Sequence, residues 1–118
     1  MEKIIEIGGK KVRMRASALI PRLYRATFGR DMIVDMRKLV KAFVDVSGDE
    51  DKQFDVLDLT IFENVAWAMA KQGNPDIPDN PDEWLDSIDG MFDIYEILPE
   101  IIELWVDTNK TTSTPKKK

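Results

Sequence analysis

The chain opens with two short runs of β-type patterning around a glycine pair. Val12 and Met14 alternate with Lys11, Arg13 and Arg15, so one strand face is apolar and the other charged. The run Lys3-Ile-Ile-Glu-Ile7 precedes it, separated by Gly8-Gly9, and two glycines supply the positive φ angles of a two-residue turn. This predicts a β-hairpin over about 3–15. A lone hairpin is marginal in water, so it must lean on helices or gain a strand from another molecule.

Beyond Arg15 the apolar spacing becomes helical. Ser17 is placed to cap a first helix at about 17–28, with Leu19, Leu23, Ala26 and the Tyr24 ring on its apolar side. Pro21 falls near the first turn, where a missing N–H costs little, and Gly29 follows as a terminator. Asp31 caps a second helix, 32–46, whose stripe is Met32, Met36, Leu39, Val40 and Phe43. A third helix, 55–72, carries Leu59, Phe62, Val65, Ala66 and Met69. Gly73 stops it, and Pro75, Pro78 and Pro81 stiffen an irregular link. Pro81-Asp82-Glu83 opens a short helix, 82–88, with Trp84, Leu85 and Ile88. The last helix, 91–106, holds Phe92, Tyr95, Leu98, Ile101, Ile102 and Trp105, with a kink or restart expected at Pro99. The fold class is therefore α+β, predominantly α: an N-terminal hairpin and a compact bundle of four to five helices. It forms one domain over 1–107, and the polar, Lys-rich segment 108–118 reads as a disordered tail.

Composition narrows the chemistry. The 118 residues contain no histidine and no cysteine. The commonest general base near neutral pH is absent, as are thiolate nucleophiles, thiolate metal sites and disulfides. Asp49-Glu50-Asp51 lacks the glycine and spacing of a calcium loop. No enzyme activity, metal or cofactor is expected. No apolar run approaches the roughly 18 residues of a membrane-spanning helix. The N-terminal MEKIIEIGGKK has no signal-peptide apolar region, so a cytoplasmic location and no membrane partner are expected.

The net charge of −5 conceals a strong asymmetry. Residues 1–41 carry 11 Lys/Arg against 4 Asp/Glu, whereas residues 42–109 carry 2 against 18. Such halves can pair within a molecule or head to tail between molecules, giving possible self-association. In Arg22-Leu-Tyr-Arg-Ala-Thr-Phe-Gly-Arg30-Asp31, the arginines and aromatics could serve phosphates and bases. The plainer reading makes Tyr24 and Phe28 core, with Arg22, Arg25, Arg30 and Asp31 in structural or self-assembly ion pairs. Whole-chain acidity favours the plainer reading and argues against a nucleic-acid partner. Asp82, Glu83, Asp86 and Asp89 share one helical face, which reads as solvated surface and not as a catalytic pair. The large apolar groups of the C-terminal half exceed what one small core needs, so a partner surface is expected there. Its candidates are Trp84, Phe92, Tyr95, Leu98 and Trp105.

The order G-G-K-K-V-R-M-R, then L-Y-R-A-T-F-G-R-D-M, then D-I-Y-E-I-L-P-E-I-I-E-L-W resembles the tail assembly chaperones of long-tailed phages and prophages of Gram-positive bacteria. The resemblance covers nearly all of residues 1–106 and is carried best by the Tyr24–Asp31 corner. It implies a non-catalytic protein that binds the long, apolar, helical tape measure protein and keeps it soluble. It also implies recruitment of the major tail tube protein and assistance in tube assembly. Such a protein acts in the cytoplasm of the infected or lysogenic bacterial host and is not expected in the mature virion. The alternative from a different class is a small nucleic-acid-binding regulator that uses the basic N-terminal third.

Overall fold

The structure is a computed structural model, and it describes residues 1–49, 51–90 and 92–113, with side chains through Thr108. Strands β1 (Glu2–Ile7) and β2 (Lys10–Arg15) form an antiparallel hairpin. Ile7 pairs with Lys10 across Gly8-Gly9, whose φ angles of 59° and 81° are those of a mirror-image two-residue turn. Lys3, Ile5, Ile7, Val12 and Met14 face the helices, while Glu2, Ile4, Glu6, Lys11, Arg13 and Arg15 face water. The hairpin leans on helices, as its marginal stability requires. Strand β2 packs on the third helix and β1 on the fifth, where Lys3 bridges Glu100 at 2.7 Å and Glu103.

Five helices follow: α1 (Ile20–Phe28), α2 (Met32–Gly48), α3 (Val56–Gly73), α4 (Pro81–Asp86) and α5 (Ile94–Ser113). The α+β, predominantly α architecture stands. Asp31 caps α2 by accepting from the Ile33 N–H at 2.9 Å, and Gly29 ends α1 in the left-handed region. Asp55 and Asp58 form a reciprocal capping box on α3. Asn80 caps α4, and Asp93 accepts from the Tyr95 N–H at 2.9 Å at the start of α5.

Some expectations need correction. Ser17 does not cap α1, which begins at Ile20. Its hydroxyl donates to Gln72 Oε1 at 2.9 Å and its oxygen accepts from the Leu19 N–H at 3.3 Å, so it closes a turn that ends before the helix begins. Helix α4 ends at Asp86, with Ser87 turning the chain. Helix α5, expected from residue 91, begins at Ile94 and runs unbroken through Pro99, so no restart occurs there. It continues to Ser113, which carries it into the segment expected to be a tail. Residues 114–118, and Met91 as the expected first residue of that helix, lie outside the described residues.

The central element is α3. Residues Val65–Ala70 are all buried, which means the helix is enclosed on every side and not along a single stripe. Leu59, expected in that stripe, is exposed instead. Strand β2, α1, α2, α4 and α5 all pack around α3. At its C-terminus α3 abuts the hairpin so closely that a Cβ on Gly73 would collide with the Arg13 carbonyl. The proline-rich link after it is held rigidly. Lys71 Nζ donates to the carbonyls of Pro75 and Ile77 at 2.9 and 2.6 Å and to Asp79 at 2.8 Å. The Trp67 indole N–H donates to the Pro78 carbonyl at 2.8 Å.

Candidate functional site

The arginine–aromatic corner resolves into a buried polar knot. Asp35 sits on the inward face of α2 with 1% exposure. It accepts from Tyr24 Oη at 2.7 Å and from Arg30 Nε and Nη2 at 2.8 Å each. Burial pushes the Asp35 carboxyl up, but the bonds from Arg30 and Tyr24 outweigh it and hold the group below the ordinary aspartate range. Burial, reinforced by Asp35, pushes the Tyr24 hydroxyl up. The Tyr24 ring also packs on Phe28, and Phe28 lies edge-on to Trp67. Arg30 thus does form the expected structural ion pair. Asp31 is a helix cap instead of an ion-pair partner. Arg22 and Arg25 are exposed and make no ion pair among the described residues. Asp35, the acceptor at the centre, was not singled out from the sequence. Its signal was present: it falls between Met32 and Met36 on the face that continues to Leu39, all of them buried.

The aromatic stripe divides. Trp84 and Leu98 are core residues, 3% and 0% exposed. Phe92 is half-buried, stacked on Phe62 at 4.8 Å and edge-on to Trp84 at 5.5 Å. Trp105 is half-buried on α5, and Tyr95 is 56% exposed. The Tyr95 ring meets Phe54 at 5.3 Å. Phe54 leads directly into Val56 and Leu57, which are 78% and 48% exposed.

That contact draws an apolar surface at one end of the molecule. A short loop joins the end of α2 to the start of α3, and the Phe54–Tyr95 contact brings the start of α5 to the same place. Two helices begin at this end, so their N-terminal dipoles favour carboxylates. Asp55 and Asp58 supply them on α3, and Asp93 and Glu96 on α5. The result is an open apolar surface with an acidic margin. Of the five residues proposed for partner contact, Tyr95 belongs to it fully. Phe54, Val56 and Leu57 were not singled out from the sequence, because their grouping depends on where the start of α5 packs.

Comparison with protein-family models, with characterised proteins and with solved structures finds no match for this chain. Among the described residues no group of three or more carboxylates is placed to hold a metal ion, and no helix is long and apolar enough to cross a membrane. The carboxylates of α4 lie on an exposed face, as expected of a solvated surface. Glu63, half-buried on α3, is held above the ordinary glutamate range by burial and by the nearby charge of Asp82.

Proposed function

We propose that this protein is a non-catalytic chaperone of phage tail assembly that holds the apolar, helical tape measure protein in solution. The observation that carries this reading is the acid-bordered apolar end built from Phe54, Val56, Leu57 and Tyr95. Scattered exposed aliphatics are ordinary, but a cluster with an exposed tyrosine is a docking surface in chemical terms. Tyrosine offers a rigid ring and a wet hydroxyl, which suits a contact that forms and later releases. Each aliphatic side chain that a client covers contributes up to about 1.5–3 kcal/mol. A helix with an apolar stripe needs a surface of this kind, and the acidic margin keeps the free protein dispersed. The tail tube protein is a second client on this reading, and the bacterial host cytoplasm is the place of action.

The test is co-expression with the tape measure protein of the same phage. The expected result is a soluble tape measure that co-purifies with this chain. A paired Leu57→Glu/Tyr95→Glu variant should fold normally and leave the tape measure insoluble. A tape measure that stays insoluble with the wild-type protein, or never co-purifies with it, sinks the proposal.

A further inference from the structure

At the opposite end of α3 the molecule carries a second and chemically different feature. A cleft of about 230 Å³ opens between β2, the link after Gly73 and α4. Its apolar wall includes Ile77 and the buried Trp84, and its mouth carries Lys10, Lys11 and Arg13. Lys10 and Lys11 are exposed and make no ion pair among the described residues, and Arg13 has only a 3.9 Å approach to Glu2. One carboxylate, Asp76, faces these three cations.

The strand register adds a backbone element to this cleft. Met1 and Ala16 exchange both main-chain bonds, at 3.1 and 3.0 Å. In an antiparallel ladder bonded and non-bonded pairs alternate. The bonded pairs are therefore Lys3–Met14, Ile5–Val12 and Ile7–Lys10, while Lys11, Arg13 and Arg15 turn their N–H and C=O away from β1. Gly73 covers that outer edge at the Arg13 carbonyl. The edge at Lys11 is left facing the cleft. The opposite wall is already rigid, because Lys71 and Trp67 bind the carbonyls of Pro75, Ile77 and Pro78. A preformed wall lowers the ordering cost of binding.

We infer that this cleft is a peptide-docking site, which takes a short extended segment carrying one large apolar side chain flanked by carboxylates. The segment pairs with the β2 edge at Lys11, seats its apolar side chain against Trp84 and Ile77, and sets its carboxylates among Lys10, Lys11 and Arg13. The volume favours a peptide over a free small molecule. Sites that enclose a drug-sized ligand run to about 300–1,000 Å³, and this cleft holds one side chain. Its cationic mouth selects an acidic partner. Because α3 spans 18 residues, the two surfaces lie roughly 25 Å apart, so one molecule can hold two partners at once.

The probe is a fluorescein-labelled hexapeptide with a central phenylalanine between glutamates, titrated into the full chain and followed by anisotropy and amide NMR. Shifts are expected at residues 10–13, 74–78 and around Trp84. A Lys10→Glu/Lys11→Glu variant should bind at least about tenfold more weakly, and a peptide with lysine in place of glutamate should not bind. Methylating the peptide backbone nitrogens should weaken binding, whereas Tyr95→Glu should not, which separates this site from the client surface. No shifts at millimolar peptide, equal binding of the lysine peptide, or equal binding of free phenylpropionate would each overturn the inference.

Discussion

Removing the carboxylate of Asp35 should destabilise the fold, with a signature that distinguishes a buried polar knot from an ordinary surface salt bridge. In Asp35→Ala the Tyr24 hydroxyl, on a side chain with 0% exposure, loses its acceptor. An orphaned buried donor costs about 1–3 kcal/mol. Arg30 also loses two bonds, but its side chain is 41% exposed and rehydrates, so that loss adds only about 0–1 kcal/mol. Alanine recovers roughly 0.5 kcal/mol of helix propensity inside α2. The net is a loss of about 2 kcal/mol, a large share of the roughly 5–15 kcal/mol that holds a domain of this size. Tyr24→Phe alone should cost about 1 kcal/mol, since Asp35 keeps both bonds from Arg30. In the Asp35→Ala background the same change removes the orphaned hydroxyl and should be neutral or stabilising, a reversal that a double-mutant cycle reads directly. Urea titration followed by tryptophan fluorescence is the assay, because Phe28 links the Tyr24 ring to the buried Trp67. The pH dependence follows from the lowered carboxyl. The Asp35 contribution is complete above its unfolded value near pH 4 and is lost as pH falls through the lower folded value. The deficit of Asp35→Ala should therefore be full at pH 7 and shrink only in stronger acid. A variant within about 0.5 kcal/mol of wild type at pH 7, or an additive cycle, would refute the reasoning.

Other outcomes follow from single contacts. Gly73→Ala should lower the melting temperature, because its Cβ meets the backbone carbonyl of Arg13 and overpacking of this kind costs about 1–3 kcal/mol. Calorimetry checks it, and an unchanged transition would mean that α3 and the hairpin are not in close contact. Glu63→Gln should raise the melting temperature at pH 7. The folded carboxyl is held high by burial and by Asp82, so its ionisation destabilises the fold as pH rises through that value, and the gain should vanish in acid. Lys71→Met should loosen the link from Pro75 to Asp79, seen as faster amide exchange at Ile77, whose N–H bonds to Asn74. Unchanged exchange there would show that the prolines alone hold the link.

The caps and turns were legible in the sequence because their chemistry is local. Gly8-Gly9, Gly29 and Asp31 each satisfy a backbone need within four residues, and each does what its residue type predicts. The misses have tertiary causes. Ser17 reads as a cap, but its oxygen turns the chain at Leu19 and its hydroxyl is anchored to Gln72, 55 positions away, so the helix starts later, at Ile20. The stripe assigned to α3 was too narrow, since five packing elements enclose it and alanines at 66, 68 and 70 bury as fully as the large residues. The end of α5 was placed early because Thr and Asn are weak helix formers, yet a helix already nucleated extends at one bond per residue. Trp84 and Tyr95 have similar sequence surroundings, apolar residues beside carboxylates. Only the packing of α4 against α3 separates a core tryptophan from an exposed tyrosine.

The apolar end and its acidic margin make sense together. Leaving Val56, Leu57 and Tyr95 about half in water forgoes roughly 2–5 kcal/mol of burial. That is a substantial share of the roughly 5–15 kcal/mol that holds a small domain. A fold under no other constraint would recover part of it by placing polar residues there. The carboxylates beside the patch limit the damage, because two such ends brought face to face oppose Asp55, Asp58 and Glu96 with their own copies. Like charge at the margin thus discourages the patch from closing on itself, while an uncharged or basic helix meets no such barrier. Asp55 and Asp58 also cap α3, as Asp93 caps α5, so the groups that start these helices also set which partners their exposed first turns admit.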